Sequence, residues 1–269
     1  TLRLAFIVTV VGLFDPEGTL RSSGGETTSG EVSRLLSLCA DHAKALKPFV
    51  AAMALDLGLL TPDSRIDCEM GLWKHGPRLL HDHHPYAVLT LTDIIKHSSN
   101  IGIAKVGALH MGAERLHACM AKWGFGERTG VDLAAEDDGR LFPLAKWNSY
   151  SVTSVPMGHE ISVTPLQLAS AMSAIANGGV LLRPFAVRRI VSTDGTVLEE
   201  GERTEIRRVI GTRAAGQMAA MLRGAVEEGT GRKAQVPGVA VAGKTGTTQK
   251  IDPQTKKYTH EKYISSFVG

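Results

Sequence analysis

The sequence predicts an α/β fold of the α+β kind, in which helices and strands fall in separate runs. Three observations carry this. Apolar residues recur at helical spacing within 46–59, 101–120, 165–176 and 213–228. Val180 to Val191 and Val197 to Glu199 flank Asp194-Gly195, the dipeptide of a type I′ hairpin turn. Val239 to Thr248 and Tyr263 to Val268 supply the β-branched and apolar residues of two more strands.

Composition narrows the class. The 269 residues are 43% hydrophobic and 21% charged, an ordinary globular balance with enough chain for a sizeable core. A net charge of +3 is too mild to argue for nucleic acid. Cys39, Cys68 and Cys119 lie far apart and form no CxxC pair, so they signal neither a zinc site nor a disulfide framework. Leu4 to Phe14 is too short to span a bilayer, and with Asp15-Pro16-Glu17-Gly18 behind it reads as a strand entering a turn.

Residues 21–31 are a polar Gly/Ser/Thr linker. Leu46 to Leu59 follows as a helix with Phe49, Val50, Met53, Ala54 and Leu57 on one face. Lys47 stands at its start, where a lysine beside a packed face commonly snorkels to the surface. His81-Asp82-His83-His84 invites a metal reading, but four consecutive side chains diverge, and a solvated loop is the better expectation. Leu89 to Ile95 begins a second helix, capped by Thr90 or Thr92, and leads into Lys96-His97-Ser98-Ser99-Asn100. Short polar side chains there turn the backbone or present a hydroxyl and an amide to a cleft. Residues 131–156 read as irregular, with Ser154-Val155-Pro156 as loop. Thr164 caps a helix that opens on Pro165 and stops at Asn177-Gly178-Gly179. Arg213 to Glu228 is the last helix and ends at Gly229-Thr230-Gly231.

Lys244-Thr245-Gly246-Thr247-Thr248 closes the expected strand. Glycine there lets a ligand's backbone lie along the strand edge, and the lysine and hydroxyls suit a carboxylate. It is no P-loop, because no Gly-x-x-x-x-Gly frame precedes the lysine. Taken alone, the stretch is equally a strand end running into a Gly/Thr turn.

Ser98-x-Asn100 between helices, followed far downstream by Lys244-Thr245-Gly246-Thr247, is an ordered pair known from β-lactamases and penicillin-binding proteins. Residues 46–269 resemble the transpeptidase domain of class B penicillin-binding proteins, the division and elongation type. Leu46-Lys47-Pro48-Phe49, Thr164-Pro165-Leu166-Gln167-Leu168-Ala169, Ile175-Ala176-Asn177-Gly178-Gly179 and Glu228-Gly229-Thr230-Gly231 fit the same family. The resemblance implies a penicillin-binding/serine β-lactamase-like fold, an antiparallel sheet flanked by helices with a mostly helical lobe. It implies a D,D-transpeptidase that cross-links peptidoglycan stem peptides through a serine acyl-enzyme, without a cofactor. Lys47, held neutral, would take the serine's proton; Ser98 would relay a proton to the leaving group; Asn100 would hold the substrate amide. Lys244 would supply positive field, and Thr245 and Thr247 would bind the terminal carboxylate beside Gly246. The implied partners are stem peptides ending in D-Ala-D-Ala, β-lactams, a glycosyltransferase and other cell-wall assembly proteins. The implied place is the cell envelope, outside the cytoplasm, on a membrane anchor this chain does not contain.

The nucleophile is missing. The family's serine stands three residues before its lysine, which here is Lys44, and no lysine in the chain has a serine at that offset. Lysine is no substitute, since an amide formed from an amine does not turn over as an ester does. Residues 1–44 therefore read as an atypical segment ahead of a transpeptidase domain over 45–269 that stops on Gly269 in mid-strand. Two explanations compete. A misjoined or foreign N-terminal stretch is favoured by the abrupt loss of resemblance before Ala45. The alternative is a non-catalytic penicillin-binding-like module in a cell-wall assembly. A serine β-lactamase or β-lactam sensor is a third possibility, disfavoured by the Thr-Pro-Leu-Gln-Leu helix and the Gly-Thr-Gly turn.

Overall fold

A computed structural model describes residues 45–133, 136–185, 189–251 and 258–269. The expected N-terminal strand, the linker and Lys44 lie outside the described residues. Helix α1 (Lys47–Asp56) is the axis of the helical lobe. Strand β1 (Arg65–Asp67), the hairpin β2 (Leu72–His75) and β3 (Arg78–His81), and β4 (Val88–Thr90) follow. Next come α2 (Leu91–His97), α3 (Asn100–Lys105), a π-helical segment (Val106–Met111) and α4 (Gly112–Lys122). Beyond them lie β5 (Arg140–Leu141), α5 (Ser151–Met157), β6 (Ile161–Ser162) and α6 (Pro165–Ala176). The chain ends with β7 (Val180–Arg183), β8 (Arg189–Val191), β9 (Val197–Glu200), β10 (Thr204–Arg208), α7 (Thr212–Glu227), β11 (Lys244–Ile251) and β12 (Tyr258–Val268). Every strand pairing among the described residues is antiparallel.

The expectation of a one-sided α1 is corrected. Residues 47–55 are all buried, while Leu57, placed on the apolar face, is exposed. The reason is position: α2, α3, α4, α5, α7 and the π-helical segment all pack on α1, so the helix has no solvent side. Phe49 makes an edge-to-face contact with Phe125 and a tilted one with Trp123, at centroid distances of 5.4 and 5.1 Å. The Trp123 indole N–H donates to the Phe49 carbonyl at 3.1 Å.

Local signals held where a cap is a local event. Thr90 caps α2 in a reciprocal box with Asp93, and Thr164 caps α6 in one with Gln167. Three other expectations yield to packing. Ser154-Val155-Pro156 is helix: Pro156 sits in the last turn of α5, which packs so closely that a Cβ on Gly107 would lie 2.4 Å from both the Pro156 ring and the Val152 carbonyl. The long strand from Val180 ends at Arg183, because β7 pairs with β10 rather than running on into β8. At the β8–β9 hairpin only Gly195 has positive φ, so the turn is not type I′. The apolar Val239 to Gly243 is not strand either; Val239 is exposed and bridges back to Val236 around Gly238, and β11 starts at Lys244.

Phe49→Ala should cost about 3–5 kcal/mol, the range for emptying a buried aromatic site. Urea unfolding followed by Trp123 fluorescence measures it, and a loss below about 1 kcal/mol would contradict the placement of Phe49 in the core.

Candidate active site

Two short helices meet at the first half of the site. α2 ends on Ser98, whose φ of 61° and ψ of 37° are left-handed, a costly conformation for a residue with a Cβ. Ser99 then caps α3, accepting from the Gly102 N–H at 2.9 Å. The break points the Ser98 and Asn100 side chains toward α1. Lys47 is only 1% exposed, and its Nζ donates to the Ser98 carbonyl at 2.6 Å, Ser98 Oγ at 3.1 Å and Asn100 Oδ1 at 2.8 Å. The surface reading of Lys47 is thus corrected: its neighbours are polar acceptors that meet the demand of a buried amine.

His81-Asp82 holds this turn from behind. The Asp82 carboxylate accepts from Ser99 Oγ at 2.6 Å and from the N–H groups of Asn100 and Ile101. The His81 carbonyl accepts from Asn100 Nδ2 at 3.1 Å. Asn100 is thereby oriented through both ends of its amide. The expectation of a solvated loop at 81–84 is therefore corrected at Asp82, which is half-buried and caps α3. Its signal was faint: an aspartate in a histidine run names no partner, because the amides it caps lie 18 residues on.

The second half of the site is β11. Lys244 is fully buried, and the loss of water pulls its pKa from the ordinary 10.5 down to about 8. Its Nζ lies 3.3 Å from Thr230 Oγ1 and donates to the Thr245 carbonyl at 3.1 Å. Thr245 Oγ1 donates to Thr230 Oγ1 at 3.0 Å. Thr230, which the sequence marks only as part of a helix-stopping turn, stands against both Lys244 and Thr245. Gly246 lies against Ala45, just ahead of α1. A Cβ there would lie 2.5 Å from Ser266 Oγ and 3.3 Å from the Ala45 nitrogen, so a side chain would require Ser266 to turn away.

Of the residues singled out in the sequence, Lys47, Ser98 and Asn100 form one hydrogen-bonded group, and Lys244 and Thr245 form another with Thr230 beside it. Lys44 and the Thr247 side chain lie outside the described residues. An amine touching a hydroxyl and an amide is equipped to move a proton. A buried cation next to hydroxyls on a glycine-containing strand edge is equipped to hold an anion.

The family model for the penicillin binding protein transpeptidase domain matches residues 45–269. The chain belongs to this family. A probable peptidoglycan D,D-transpeptidase FtsI of Caulobacter vibrioides is 35% identical over 258 residues, covering 94% of this chain and 42% of that protein. The penicillin-binding protein PbpB of Mycolicibacterium smegmatis is 35% identical over 83% of this chain and 35% of its own length. The chain thus spans less than half the length of these relatives. Among solved structures, the apo transpeptidase domain of Burkholderia pseudomallei penicillin-binding protein 3 superposes with a TM-score of 0.77 at 30% identity, over 87% of this chain and 67% of that one. Penicillin-binding protein 3 of Mycobacterium tuberculosis complexed with aztreonam gives 0.74 at 30% identity, over 84% and 55%. The transpeptidase family and its fold, expected from the motifs, are both found. Among the described residues of this transpeptidase-family chain, no helix is long and apolar enough to cross a membrane.

Two outcomes follow from the site. Asp82→Ala should destabilise the domain by about 1–2 kcal/mol through the lost helix cap, measured by urea unfolding. Lys244 links stability to pH. The unfolded chain keeps this proton up to about 10.5 and the folded chain only to about 8, so unfolding takes up protons between those values. The domain should therefore gain stability as pH rises from 8 to 10.5 relative to Lys244→Met, and the two should run parallel below pH 8. Parallel curves throughout would show that Lys244 is not desolvated.

Proposed function

We propose that this domain is a peptidoglycan D,D-transpeptidase cleft that binds D-Ala-D-Ala stem peptides and β-lactams but, with Lys44 in the nucleophile's place, does not acylate. The observation that carries this reading is the convergence of Lys47, Ser98 and Asn100 within hydrogen-bonding distance. The β11 edge supports it by approaching the chain at Ala45, next to position 44 and just ahead of α1.

With a serine at position 44 the chemistry is complete. The Ser Oγ attacks the penultimate D-Ala carbonyl while Lys47 takes its proton, and the peptide C–N bond breaks as Ser98 passes a proton to the departing D-Ala nitrogen. An amine of a neighbouring stem then displaces the serine from the ester and forms the cross-link. Asn100 holds the substrate amide. Lys244 supplies field, Thr245 and Thr247 hold the carboxylate beside Gly246, and the Thr247 N–H with that of the nucleophile forms the oxyanion hole. The relatives' names favour a role in cell-wall synthesis at the cell envelope, and we infer that the domain works there with a glycosyltransferase and other cell-wall assembly proteins.

The identity of residue 44 favours a second reading, a binding module whose cleft would not react even with a serine restored. Intact mass after incubation with benzylpenicillin separates the two. No adduct should form on the chain as it stands, and one adduct should form on Lys44→Ser. An adduct on the unaltered chain would assign the nucleophile elsewhere and overturn the alignment of the site. A properly folded Lys44→Ser that binds benzylpenicillin without acylation would leave the binding module as the function.

A further inference from the structure

The two halves of the site come from stretches far apart in sequence, and one seam joins them away from the ligand. At the end of α2 the Lys96 carbonyl accepts from the Thr230 N–H at 3.2 Å. Lys96 Nζ, mostly shielded, pairs with the Glu228 carboxylate. That pairing holds the Glu228 carboxyl below its usual range, although the group itself is exposed. Between these contacts sits Gly229, pressed so tightly that a Cβ would stand 2.3 Å from the Lys96 carbonyl oxygen and 2.8 Å from that of Ala225. A contact of 2.3 Å is not tolerable, and both atoms it meets belong to main chain that cannot rotate away.

The seam closes a ring. Lys47 on α1 bonds to Ser98; Lys96, two residues before Ser98, bonds to Thr230; Thr230 bonds to Thr245; and Gly246 passes against Ala45 just ahead of α1. Every other link in that ring involves a group proposed to act on the ligand or to stand beside the nucleophile. Only the Lys96–Gly229 link stands clear of the chemistry, so it alone can be altered without removing a reacting group.

We propose that Lys96 and Gly229 are positioning residues: their seam fixes the distance between the Ser98–Asn100 wall and the Lys244–Thr245 strand, so that one peptide-like ligand spans both. The inference rests on the transpeptidase reading, in which the amide of a ligand meets Asn100 while its carboxylate meets Thr245. The absent Cβ sets how close the two main chains come, and the ion pair holds them there. Because the pair is partly exposed, it is the weaker element of the two.

The test uses the full chain carrying Lys44→Ser and follows benzylpenicillin acylation, separating the dissociation constant from the first-order acylation constant. Adding Gly229→Ala should lower the acylation constant at least tenfold in protein that still melts well above the assay temperature. Adding Lys96→Met or Glu228→Gln should lower it about threefold, and the exchanged pair Lys96→Glu with Glu228→Lys should restore it. A purely stabilising role would lower the melting temperature and leave the acylation constant of the folded protein unchanged, and that result would overturn the proposal. If Gly229→Ala does not fold, the charge variants decide: equal acylation constants in the two single variants, the exchanged pair and the parent would overturn it. If Lys44→Ser itself forms no adduct, the transpeptidase reading has failed, and amide hydrogen exchange decides the seam separately. Faster exchange at both Asn100 and Thr245 in Lys96→Met would support a shared seam, and unchanged exchange at both would refute it.

Discussion

A lysine buried to 1% exposure needs acceptors, and in this domain the demand of Lys47 organises what surrounds it. α1 is packed on every side by helices, so its first residue cannot reach water. The acceptors come instead from the break between α2 and α3, where Ser98 is held in a left-handed conformation and Asn100 opens the next helix. That strain persists because neighbours over-determine it: Thr90 and Asp93 fix the start of α2, and Asp82 and Ser99 fix the start of α3. The polar triad and the apolar core are therefore parts of one packing solution.

The β11 side solves a similar problem differently. Lys244 is as buried as Lys47, and among the described residues it meets hydroxyls and a carbonyl. Burial accordingly prevails and its pKa falls to about 8. A cation kept in place at this energetic cost is poised to gain from an incoming anion.

In the proposed reading, position 44 sets the limit on activity. Lys47, Ser98, Asn100, Lys244 and Thr245 each have hydrogen-bond partners among the described residues. In that reading, binding and acylation are separable properties of one domain.

The sequence by itself determined the features that are local. Thr90 and Thr164 were legible as caps because a cap and its amides lie within one turn. The Ser98-x-Asn100 and Lys244-Thr245-Gly246 motifs carried the family, and the lack of a serine before Lys47 was readable at once. Tertiary structure alone decided the burial of Lys47, because a helix's environment depends on which other helices surround it. It alone made Ser154 to Pro156 helical, through packing on Gly107. It recruited Asp82 and Thr230, whose partners lie 18 and 14 residues away along the chain and are not marked by any local pattern. It also exposed Val239, which apolar composition had assigned to a buried strand. Composition states what a residue tolerates, and only the arrangement of the other elements fixes which of those environments it receives.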